Sequence, residues 1–133
     1  MNAFIRFNRG LFRLPVGVRL WMVLLVSANL ILPIIYFQQS EARIVLLTFF
    51  AGILLMVVIT GTSGFTRLVG LGHIFWVPLV LFLVSRLGSI PATDAYGIWI
   101  RSVIALNTIS LVLDAIDVVR FARGERSEIV SVE

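Results

Sequence analysis

From Leu20 to Ser40 the chain carries no charged side chain, and from Ile44 to Thr66 it carries none again. A third run, Leu68 to Ser85, has 18 residues between Arg67 and Arg86. Helices of about 20 apolar residues cross the ~30 Å hydrocarbon core of a bilayer. The whole chain has 133 residues, 59% of them hydrophobic and 14% charged, with a mean hydropathy of +1.05. An average soluble domain is nearer half apolar and a quarter charged. A globule of this size in water could not hide that much apolar surface, so lipid is the expected solvent.

The runs define an all-α, integral-membrane four-helix bundle. Its spans are expected at about 16–37, 42–62, 68–85 and 95–119. The fourth is the weakest, because it contains Arg101, Asp114 and Asp117 and only the 12 residues Ser102–Leu113 are free of charge. It needs neighbouring helices to insert. Short polar links, such as QQSEAR and GTSGFTR, make consecutive spans antiparallel hairpins. Residues 1–15 form a separate basic amphipathic segment ahead of the 16–120 transmembrane domain. There Phe4, Phe7, Leu11 and Leu14 recur at helical spacing with Arg6, Arg9 and Arg13 between them, a pattern suited to a lipid headgroup layer. Pro15 closes it. The first span is read as uncleaved, since no small-x-small site follows it. Residues 121–133 are expected to be a polar cytoplasmic tail that frays.

All eleven basic residues are arginine. Eight (Arg6, 9, 13, 19, 67, 120, 123 and 126) fall at one set of span ends, and three (Arg43, 86 and 101) at the other. Basic residues are retained on the cytoplasmic side, so both termini are expected there, most simply in a bacterial inner membrane. The same placement assigns the net charge of +4 to topology and anionic lipid rather than to nucleic acid. Trp21 and Trp99 are expected as belt residues at opposite interfaces, and Trp76 as packing.

Asn107, Ser110, Asp114 and Asp117 in the fourth span are spaced 3, 4 and 3, within a stripe of about 80° on a helix. That polar seam has to face other helices, another subunit or water. Depth counted from Arg19 and Arg120 sets Asn29 opposite Asn107 near the midplane. His73, Asp114 and Asp117 share a depth in the arginine-rich half, with Arg19 and Arg67 in reach. Asp117 has an alternative partner in Arg120 one turn on. At the other end Arg101 is expected to pair with Asp94 or Glu41. Thr48 with Gly52, and Gly70 with Gly72, allow close helix approach, and Pro33 and Pro78 free backbone carbonyls.

Reactive chemistry is scarce. With no cysteine, disulfides, iron–sulfur clusters, thiolate zinc and cysteine nucleophiles are excluded. GTSGFTR is not a phosphate-cradling loop, and no Ser–His–Asp order suggests hydrolysis, so no enzyme and no cofactor is expected. His73, Asp114 and Asp117 offer three metal ligands without motif spacing. The leading expectation is an accessory, scaffold or assembly subunit, acting as a homo-oligomer or within a larger membrane complex. The alternative is a small ion- or proton-coupled transporter using His73, Asp114 and Asp117, because histidine titrates near neutrality.

Overall fold

The computed structural model describes residues 2–130, and these contain helices and turns but no strand. Helix α1 spans Ala3–Arg13, started by Asn2, whose side chain accepts the Ile5 N–H at 2.9 Å. Leu14 and Pro15 leave the helical region and turn the chain. Four longer helices follow: α2 (Val16–Ile35), α3 (Ser40–Ser63), α4 (Arg67–Ser89) and α5 (Ala95–Ala122). Each is long and apolar enough to cross a membrane. The links between them are three to five residues long (36–39, 64–66 and 90–94). Leu47, Phe50, Leu54 and Val58 form an exposed apolar stripe along α3, and Ile109, Val112, Leu113 and Ile116 do the same on α5. Apolar residues displayed at this density suit a lipid exterior, where packing rather than hydrophobic burial joins the helices.

Two spans depart from regular α-helix. In α2 the turns at Ser27–Ile31 widen into a π-helix just ahead of Pro33. Leu32 N–H therefore donates to Ser27 O, five residues back. The next donor in that register would be Pro33, which has none, so Ala28 O is left open. The Trp99 indole N–H fills it at 2.9 Å. Trp99 is 4% exposed and stacked against Tyr36, so it is a core residue and not the belt residue its sequence position suggests. Trp21 also turns inward, donating to Ser110 Oγ at 3.1 Å.

In α4 the first nine residues, Arg67–Phe75, wind as a 3-10 helix before the α-helical stretch Trp76–Arg86. Thr66 caps it, its hydroxyl accepting the Leu68 N–H. Runs beyond three or four residues are uncommon for this winding, so tertiary contacts sustain it. The contacts involve glycines. Gly52 of α3 faces Gly72 of α4 so closely that a Cβ on Gly52 would lie 2.9 Å from the Gly72 carbonyl oxygen. A Cβ on Gly70 would lie 3.2 Å from the Asp114 side chain on α5. The small-residue positions thus serve packing inside one chain. Because a 3-10 helix rises about 2.0 Å per residue, the 20 residues Arg67–Arg86 reach about 34 Å. That is how a charge-free run of 18 residues suffices for a span.

The buried core falls in two parts. One, around Val45, Leu79, Leu83, Trp99, Ile100 and Val103, joins the four long helices. The other, Phe7, Met56, Ile59, Phe65 and Val69, lies toward the arginine-rich end. There α1 is docked on α3 and its following loop. Phe7 is buried against the Phe65 ring, with Gly10 in van der Waals reach of the same ring, whereas Phe4 and Phe12 stay exposed. The tail is also held rather than frayed: Ile129 N–H donates to Phe65 O at 2.8 Å, and the Glu128 carboxylate accepts Phe65 N–H at 3.1 Å. Residues 131–133 of the expected tail lie outside the described residues.

Candidate functional site

The inward stripe of α5 begins with Trp99, Ile100 and Val103 and continues as Asn107, Ser110, Asp114 and Asp117. The same helical repeat that buries the first three aims the polar four at the other helices. Asn107 and Asn29 are both fully buried and exchange two hydrogen bonds, each side-chain amide donating to the other's carbonyl oxygen at 2.9 Å. Asn29 also donates to Leu25 O, four residues back. Ser110 receives Trp21. The upper part of the seam is therefore engaged in joining α2 to α5.

The lower part meets α4. In a 3-10 helix residues three apart eclipse. Arg67, Gly70 and His73 consequently stand in one row facing α5. An α-helix would turn His73 about 120° away from Arg67. Arg67 Nη1 donates to Asp117 Oδ1 at 2.7 Å, and its Nε approaches Glu125 at 3.4 Å. Gly70 gives Asp114 room to sit against α4. His73 Nδ1 meets Asp114 Oδ2 at 2.5 Å, and the His73 ring stacks on Trp76 with centroids 4.1 Å apart and planes 7° from parallel. Trp76 follows His73 by three residues, continuing the row. Asp117 takes Arg67 in place of Arg120, and Arg120 pairs with Glu125. Arg19 makes no ion pair among the described residues.

These groups open onto a cavity of about 390 Å³ to which all five helices contribute. Its wall is mostly apolar (Leu11, Met22, Phe49, Ile53, Met56 and Trp76), and its polar edge is Arg67, His73, Asp114 and Asp117. The cavity exists because Val16–Val26 of α2 stands off from α3, whereas the π segment and the turn after it pack directly on α3. The His73 and Asp114 side chains are 21% and 19% exposed at its edge. A neutral His73 donates Nδ1–H to Asp114 and keeps an acceptor at Nε2, and a protonated one donates from both nitrogens. The chemistry available is hydrogen bonding to, or proton exchange with, a guest in an apolar chamber. Among the described residues no group of three His, Asp or Glu is arranged to hold a metal ion.

The opposite end has its own polar cluster. Glu41, 5% exposed, accepts from Tyr96 OH and from Ser40 Oγ, each at 2.7 Å, and lies 3.5 Å from Arg86. Asp94 caps α5 by accepting Gly97 N–H at 2.8 Å. With both carboxylates engaged elsewhere, Arg101 donates instead to the carbonyls of Gly97 and Ile90. The Glu41–Tyr96 bond had one sequence signal, a carboxylate and a phenol at the same end of two apolar helices. No family profile, no curated protein and no solved structure matches this chain.

Proposed function

We propose that the chain is a small multi-pass membrane protein that acts as an accessory, scaffold or assembly subunit through helix–helix interactions, with copies of itself or within a larger membrane complex. The observation that carries this reading is the internal pairing of the polar seam. Asn29 with Asn107, Trp21 with Ser110, His73 with Asp114 and Arg67 with Asp117 satisfy its polar groups within the chain. What remains for partners is a wide apolar exterior, including the α3 stripe at Leu47, Phe50 and Leu54. The arginine bias supports an orientation with both termini in the cytoplasm, α1 at the lipid headgroups, and a bacterial inner membrane as the setting. Replacing Asp114 with alanine is expected to lower the amount of protein assembled in the membrane, read by native gel and by co-purified partners. Normal assembly accompanied by loss of an ion flux would refute it.

A second reading, ion- or proton-coupled transport through His73, Asp114 and Asp117, draws support from their position on the cavity edge. It requires a flux in liposomes between about pH 5 and 8 that depends on pH and is lost in His73→Phe. No proton, cation or anion flux in that range removes it.

A further inference from the structure

The cavity beneath α1 combines three features that together specify a guest. It has about 390 Å³ of space, within the range of small-molecule sites of about 300–1,000 Å³. Its walls are aliphatic and aromatic, so the body of the guest is apolar. With His73 protonated its polar edge is balanced, Arg67 against Asp117 and His73 against Asp114. An anionic head would meet two carboxylates there, and a cationic head would meet Arg67. Either leaves an uncompensated charge in an apolar chamber, whereas a neutral head does not.

One atom distinguishes this edge from a closed ion-pair network. His73 is engaged by Asp114 through Nδ1 and by Trp76 through its ring face, while its Nε2 has no hydrogen-bond partner among the described residues. With one N–H held by Asp114, the protonated ring that balances this edge presents Nε2–H to the cavity as a hydrogen-bond donor. We infer that this cavity binds a neutral amphiphile, an apolar chain or ring system ending in a hydroxyl group whose oxygen accepts from His73 Nε2–H. A bound amphiphile is compatible with an assembly subunit or with a carrier, so this site and the scaffold role stand or fall separately.

Trp76 reports on the site directly. It lines the cavity, stacks on His73 and is one of three tryptophans; Trp21 and Trp99 do not line that cavity. The test titrates the purified full-length chain in detergent micelles with a terminally dibrominated dodecanol, whose bromines quench nearby tryptophan fluorescence. Saturable quenching is expected, and it disappears in Trp76→Phe. His73→Phe weakens the alcohol about fivefold and leaves binding of headless dibromododecane unchanged, as loss of one net hydrogen bond requires. The amine and carboxylate analogues bind at least about fivefold more weakly than the alcohol, by the same arithmetic. Quenching that is linear in probe and identical in Trp76→Phe shows partition into the micelle only, and overturns the site. Saturable quenching indifferent to His73, or a charged probe that binds as tightly as the alcohol, overturns the head-group assignment. Where His73→Phe does not give folded helical protein, His73→Leu serves, with the same two outcomes.

Discussion

Asn29 and Asn107 show what a polar residue does inside an apolar bundle. Each is fully buried, and each completes the other, so a loss on either side strands a partner where no water can reach it. Asn107→Ala is expected to destabilise the protein by about 0.5–2 kcal/mol, the usual contribution of an interhelical hydrogen bond in a membrane. A double-mutant cycle with Asn29→Ala, followed by reversible unfolding in mixed micelles, should return a coupling energy of similar size. The Arg67–Asp117 pair should behave differently. Both side chains are about a third exposed, at 29% and 34%, so Arg67→Gln or Asp117→Asn alone should cost less than about 1 kcal/mol in the same assay. Counting depth along antiparallel spans is enough to set Asn29 against Asn107 and His73 against Asp114, because the arginines at the span ends supply the zero of the scale. It does not choose between Arg67 and Arg120 for Asp117. Both stand at the same end, and the choice turns on the 3-10 row that aims Arg67 at α5.

Among the elements, α4 is the least readable from sequence. Its apolar composition announces a span, but nothing local announces a nine-residue 3-10 stretch. The glycines weaken α-helix there, and the close approach of α3 and α5 then selects the narrower winding. The Gly52–Gly72 contact should be correspondingly intolerant. Gly52→Ala drives a Cβ into a backbone carbonyl and is expected to cost about 1–3 kcal/mol, measured as a lowered unfolding midpoint. Gly72→Ala meets the Met56 side chain instead, so shortening Met56 in the same chain should recover part of the loss. Gly17 provides the contrast, because a Cβ there would meet nothing within 4 Å: Gly17→Ala should be neutral or stabilise by up to about 1 kcal/mol. The π turn of α2 is equally silent in the sequence beyond Pro33 itself. Trp99 defeats a reading from position alone, since an aromatic near a span end fits an interfacial belt and an inner brace equally well. Only the open Ala28 carbonyl distinguishes the two.

For the whole molecule, four long apolar helices are legible from the intervals between charges, since a bilayer penalises charge at its centre more strongly than any local propensity operates. The docking of α1 and of the tail onto Phe65 is not, because it rests on contacts across more than 50 positions of sequence. The proposed orientation can be checked without background labelling, as the chain has no cysteine. A cysteine introduced at Gln38 should react with a membrane-impermeant maleimide added outside intact cells, and one at Ser127 should react only after the membrane is opened. The opposite pattern would reverse the topology.

The self-pairing of the seam also bears on inheritance. Residues joined across 78, 50 and 41 positions cannot drift one at a time without passing through an intermediate that carries a stranded group. Descendants of this chain should therefore keep or lose Asn29 with Asn107, Arg67 with Asp117 and His73 with Asp114 as couples, while the lipid-facing stripe of α3 wanders freely among apolar residues.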